Sequence, residues 1–196
     1  MDIFYFLLNA VFSILGRALD LLSTYYITPH LKLETNWLIR KLGWKGSIVL
    51  QIPLIVLGTV FREFAIFILA WSIIIASSNI SGAWFVRNLP EGDAKYFELL
   101  RSSALRAKFR NIVLDESPPL ILFVIPNVVI WIWVQLEIGN VLDLIFQGSF
   151  ISYLLIITGA LILHGIMSFI RSILYISRLK REESQETENR RASIAS

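Results

Sequence analysis

The apolar positions along the chain gather into five long runs separated by polar breaks, over residues 3–27, 46–61, 64–86, 118–136 and 144–170. A helix needs ~20 apolar residues to cross a ~30 Å hydrocarbon core, so four of these runs predict a spanning helix directly. The second is shorter and holds Gln51 and Pro53, with only Arg62 and Glu63 between it and the third run. A tight hairpin or re-entrant turn is its alternative reading. The first run begins after Asp2 rather than a basic region and has no small-residue cleavage site, so it reads as a retained span.

Two segments break the pattern. Residues 89–114, "LPEGDAKYFELLRSSALRAKFRNIVL", open with turn residues and continue with helical spacing. Leu105, Phe109 and Ile112 form an apolar stripe beside Arg101, Arg106, Lys108 and Arg110. This predicts an amphipathic helix over about 93–114, lying in the headgroup plane and meeting anionic lipid through those four cations. A solvated connector is the plainer alternative. Residues 179–196 are almost devoid of apolar side chains and predict a disordered tail. Its Arg-Arg-Ala-Ser-Ile resembles a basophilic kinase site at Ser193, although an ordinary polar tail contains such strings by chance.

The basic residues orient the spans. Sixteen Lys and Arg fall in the loop after the first run, the loop after the third and the tail; only Arg62 falls in the alternate loops, and Arg17 lies inside a run. The positive-inside rule then predicts an external N-terminus and a cytoplasmic C-terminus in the cell membrane. Tyr25, Tyr26, Trp37, Trp44 and Trp84 would mark the cytoplasmic interface, and Trp131 and Trp133 the other. The bias alternates through all five runs, which favours a full crossing for the second.

Composition agrees: 56% of residues are hydrophobic, 17% are charged and mean hydropathy is +0.66, whereas soluble domains are about a quarter charged. Cysteine is absent, which excludes disulfides, zinc–thiolate sites and cysteine nucleophiles. The fold expected is an all-α polytopic transmembrane bundle of about five spans with a cytoplasmic interfacial helix. Residues 1–178 form one membrane domain and 179–196 the tail.

Polar residues inside the runs locate the candidate chemistry. Asn9, Ser13, Gly16, Arg17, Asp20 and Thr24 recur at three- and four-residue steps, on one face of a helix. Arg17 and Asp20 are spaced to pair, because a lone charge in hydrocarbon costs several kcal/mol. Counted from the cytoplasmic side, Asp20, Gln51, Asn79, Asn127 and His164 lie at similar depths, one in each span. Ser77, Ser78, Ser81 and Gly82 flank Asn79, and Ser168 is one turn beyond His164. This predicts a polar layer open toward the cytoplasmic leaflet. Interhelical hydrogen bonding and close packing explain Gln51, Asn127, Ser13 and Ser168 equally well. An intramembrane carboxylate points to function, and a histidine serves either as packed core or as a group titrating near neutrality.

Asp20-x3-Thr24, followed by Glu34-x-Asn36, resembles the signature of a family of small, functionally uncharacterised archaeal and bacterial multi-helix membrane proteins. In that family an Asp and Thr end the first helix and a loop Glu-x-Asn-Pro follows. The resemblance covers the first third of the chain and departs at Trp37, where the family has proline. It implies a common fold and supplies no activity. Glu34 and Asn36 either cap the next helix or fold back toward Asp20.

No metalloprotease, Walker or dinucleotide motif is present, and no cofactor or nucleic acid is expected. Asp20, Glu34 and His164 are chemically able to bind a cation, but no local spacing supports a metal site. "SNISGAW" around Ser81 and "LHGIMS" around His164 distantly resemble the serine and histidine of rhomboid proteases, although Asn79 replaces the first glycine of that motif and the layer faces the opposite side. The expected function is binding or passage of an ion, small polar solute or lipid headgroup by Asp20, Thr24, Glu34, Asn36, Asn79 and His164. The protein would act alone, as a homo-oligomer or beside a membrane-protein partner. The alternatives are an intramembrane enzyme acting on lipid or peptide through Ser81 and His164 or Asp20 and His164, and a structural anchor whose polar residues only pack helices.

Overall fold

The computed structural model describes residues 3–34, 36–81 and 83–195, without the side chains of 37, 183, 184 and 186–195. Ser193 therefore lies outside the described side chains. Among the described residues every regular element is helical: α1 (Ile3–Ile27), α2 (Trp37–Val60), α3 (Arg62–Ile80), α4 (Ala83–Asn88), α5 (Asp93–Arg106), α6 (Phe109–Asp115), a π-helical turn (Leu120–Val124), α7 (Ile125–Glu137), α8 (Val141–Ile145) and α9 (Phe150–Ala195). Five helical stretches are long and apolar enough to cross a membrane: Ile3–Ile27, Leu38–Val60, Arg62–Ile80, Phe109–Glu137 and Phe150–Glu182. Many of their large apolar side chains are exposed, among them Phe4, Ile52, Leu122 and Leu136. In water that surface would be untenable; facing acyl chains it costs nothing. The chain is a multi-pass membrane protein.

Hydropathy alone misplaces several boundaries. α2 starts nine residues before the apolar run, at Trp37 instead of residue 46, with Asn36 capping it by accepting the Leu38 amide at 3.0 Å. A kink at Gly43, where φ is +66°, joins this polar first part to the span. The left-handed φ suits glycine, which has no Cβ to clash. The third run splits into α3 and α4 around Ser81, and the fifth begins at Phe150 after the separate α8. The single interfacial helix is in fact two, broken at Ala107 and Lys108, whose backbones are extended. Phe97, Leu100, Ala104 and Ile112 pack on Tyr175, Ile176 and Leu179 of α9, while Leu105 and Phe109 stay exposed. The expected stripe is thus divided between a protein contact and an outer face.

The tail also departs from the sequence reading, because α9 stays helical to Ala195. Its composition explains this without an apolar face. Arg, Glu, Gln and Ala are good helix formers, and Arg178 donates to Glu182 at 2.7 Å one turn on.

The core is built around α1, which packs most extensively on α3 and next on α2. Asn9, Ser13, Gly16, Arg17 and Ser23 are buried, so the polar stripe faces protein. Small residues let the backbones meet: a Cβ at Gly16 would lie 3.1 Å from the Leu69 Cα, and one at Gly58 would collide with the Ser13 hydroxyl. α3 in turn packs on α9, and α9 on the π-helical turn.

Candidate functional site

The buried charges are arranged first by Arg17, whose guanidinium ties three helices together. It donates from Nε to Gln51 Oε1 of α2 at 2.6 Å, from one terminal nitrogen to Ser72 Oγ of α3 at 3.3 Å, and from the other to Asp20 Oδ2 of its own helix. Gln51 is fixed in turn by donating to the Ser47 carbonyl at 2.8 Å. A buried ion pair needs such additional partners, since desolvation otherwise outweighs the attraction.

Beside this network lies a cavity of about 720 Å³ between α1, α2, α3 and α9. It reaches to the end of the bundle where Thr28, Leu33, Glu34 and Asn36 meet α5 and the end of α6. Asp20, Thr24, Glu34, Asn36, Asn79 and His164 all line it, as does Gln51. Asn79 donates to Ser23 Oγ and Thr24 Oγ1, both at 3.1 Å, and so joins α3 to α1. Glu34 Oε1 accepts the Asn36 amide at 2.7 Å, so these two loop residues organise the start of α2 while facing the same space. His164 packs edge-on against Trp71 and Phe123, with ring centroids 6.0 and 5.7 Å away.

Two expected members fall elsewhere. Asn127 is absent from the cavity wall and donates to the Phe123 carbonyl at 2.8 Å. Its amide serves the backbone of its own helix one turn earlier. Ser81 is exposed at the end of α3, and the hydroxyl near His164 belongs to Ser78, 3.3 Å from Nε2. One helical turn separates the two serines, which corrects the Ser81 assignment. Among the described residues no carboxylate bonds the histidine ring and no cluster of three His, Asp or Glu side chains has metal-binding geometry.

Sequence reasoning missed Arg171, which it counted among the tail charges. Arg171 lines the cavity together with His164, Met167, Ser168, Ser172 and Tyr175, one face of α9. The three- and four-residue spacing from His164 onward was the available signal.

A polar latch holds the loop that forms part of the wall. Asp93 is 2% exposed at the start of α5. It accepts from Thr28 Oγ1 at 2.9 Å and the His30 amide at 3.3 Å, and its other oxygen lies 3.0 Å from the His30 ring. Thr28 Oγ1 also receives the Leu33 amide at 3.1 Å. Burial pushes the Asp93 carboxyl up, but the His30 ring, the Thr28 hydroxyl and the His30 amide together outweigh it and hold the pKa below the ordinary value. A depressed carboxylate stabilises the fold above its unfolded pKa of about 3.9, and that contribution is lost as pH falls through the lower folded value. The latch is therefore expected to hold at neutral pH and weaken only below about pH 4. Asp93→Ala should lower the local opening free energy of residues 28–34 by about 1–3 kcal/mol, the cost of orphaning the buried donors. Amide hydrogen exchange would check it; unchanged protection in the variant would mean that the loop is held by other contacts.

Comparison of the chain with family models, curated proteins and solved structures finds no match to any of them.

Proposed function

We propose that the protein binds, and on binding passes or presents, a small polar or charged group taken from the cytoplasmic side of the membrane. The supporting observation is the convergence of Asp20, Thr24, Asn79 and His164, from three membrane helices, on one cavity with Glu34 and Asn36 at its loop end. Intramembrane polar groups are costly and mark ligand or ion paths by default. Polar contacts that only pack helices require no such space between them. The cytoplasmic direction rests on the sixteen-to-one basic asymmetry. Arg101, Arg106, Lys108 and Arg110 would hold α5 and α6 against anionic headgroups, with exposed Leu105 and Phe109 as the apolar contact.

The test is a thermal-shift screen of the detergent-solubilised protein against ions, small solutes and short-chain lipids, repeated on Asn79→Leu, which replaces a polar amide on the cavity wall with an apolar side chain. At least one ligand is expected to stabilise the wild-type protein and to lose that effect in the variant. If nothing shifts the midpoint and Asn79→Leu is simply more stable, the void is a packing defect.

Ser78 and His164 give the enzymatic alternative its one specific contact. Covalent labelling of Ser78 by a serine-reactive phosphonate would support it.

A further inference from the structure

The cavity holds two arginines with opposite circumstances, and the contrast identifies the ligand. Arg17 is spent: Gln51, Ser72 and Asp20 take all three of its nitrogens. Arg171 lines the same space with no hydrogen bond or ion pair to any described residue, although it lies within electrostatic reach of Asp20 and His164. Neither does any described residue hydrogen-bond the side chains of Ser168 and Ser172, on the same face of α9. The facing carboxylate, Asp20, is already committed to Arg17. We propose that Arg171, with Ser168 and Ser172, is the receptor for an anionic oxyacid group, a phosphate above all. This rests on reading the cavity as a binding site and names the chemistry of its ligand.

A planar guanidinium presents paired N–H donors whose spacing matches two oxygens of a phosphate or carboxylate. Arg171 is exposed at the margin of the cavity, so its guanidinium is open to an oxyanion entering from outside the chain. The flanking serines add hydroxyl donors for the remaining oxygens. Apolar wall residues Leu50, Leu54, Trp71 and Ile75 accompany this polar end, which suits a headgroup still attached to its acyl chain as well as a free oxyanion. Glu34 and Glu116 also line the cavity, toward the loops. Glu34 is engaged with the Asn36 amide. Glu116 leaves room for a ligand that carries a cation beyond its phosphate.

The experiment uses the full chain in a non-ionic detergent, with inorganic phosphate, dihexanoyl phosphatidylglycerol and ethanolamine as probes and ligand-induced stabilisation as readout. Arg171→Gln should unfold close to the wild-type midpoint without ligand, because no hydrogen bond or ion pair to a described residue is lost and the charge it removes attracts Asp20 but repels a protonated His164. It should bind the phosphate-bearing probes at least tenfold more weakly, with Arg171→Lys between the two. Binding of inorganic phosphate identifies a free oxyanion as sufficient; binding of the lipid alone identifies a headgroup site. Unchanged affinity of Arg171→Gln for a phosphate-bearing probe overturns the proposal. If ethanolamine alone binds and Asn79→Leu abolishes it, the cavity remains a binding site and the anion assignment falls. If no probe binds, the anion assignment falls, and the binding-site reading is decided by the wider screen of ions, solutes and lipids.

Discussion

Arg17→Met is expected to lower the unfolding free energy by about 3–5 kcal/mol, the range for removing one partner of a buried ion pair. The loss is large because one side chain serves three helices. Asp20 is left charged without its counter-ion, Gln51 loses the partner of its Oε1, and Ser72 loses a donor. Gln51 keeps its bond to the Ser47 carbonyl, so α2 retains that part of its local order. Arg17→Lys should fall between, since an ammonium cannot reproduce the fork that reaches three directions. Adding Asp20→Leu to Arg17→Met removes the stranded charge and should recover much of the stability. Asp20 and Arg17 also line the cavity, so the double variant alters its wall, and its ligand-induced stabilisation is expected to change with it. Unfolding titrations in mixed micelles measure the first effect and ligand-induced stabilisation the second. A single Arg17→Met variant as stable as wild type would show that the three helices are held by packing alone.

Gly165→Ala is expected to cost about 1–3 kcal/mol, the usual price of overpacking, and Gly165→Leu to prevent correct docking of α9 altogether. A Cβ there would sit 2.6 Å from the Pro119 carbonyl oxygen and 2.8 Å from Val124 Cγ2. The nearer obstacle is backbone, which cannot rotate aside. At Gly58 the obstacle is instead the Ser13 hydroxyl, a side-chain atom that is buried without a hydrogen bond, so alanine there should be milder. Because Gly165 adjoins His164, its variants should also alter the cavity wall. Thermal midpoints and ligand response of the Gly165 pair, compared with Gly58→Ala, check the order. A Gly165→Leu protein with a wild-type midpoint would refute the close approach.

The spans were legible because hydrocarbon imposes one requirement, apolarity over a fixed length, that a single sequence displays directly. The stripe on α1 was legible for a similar reason, since helical spacing puts Arg17, Asp20 and Thr24 on one face whatever surrounds them. Partners were not. Nothing local to Arg17 announces Gln51 or Ser72, 34 and 55 residues away. Nothing local to Thr28 announces Asp93, 65 residues on. Depth counting placed Asn127 with Asp20 and His164 because it measures height along the helix and is blind to rotation about it. The π-helical turn at Leu120–Val124 changes that rotation just upstream. Arg171 escaped notice for the converse reason: its charge was assigned to the tail, although its helical face belonged to the site.

α9 carries the cavity wall at His164, Ser168 and Arg171, and further along it grips α5 and α6 through Tyr175, Ile176 and Leu179. Lys180 adds a hydrogen bond of 2.5 Å to the Ala107 carbonyl, at the break between those two helices. From Gly165, where α9 is pressed against the π-helical turn, to Leu179 is about 21 Å at ~1.5 Å per residue. A tilt of about 10° at that pivot would sweep Leu179 through about 4 Å, further than a hydrogen bond of ~3 Å can stretch without breaking. The rod and its two ends therefore move as a lever: whatever shifts the wall of the cavity must drag the surface helices along or tear them loose.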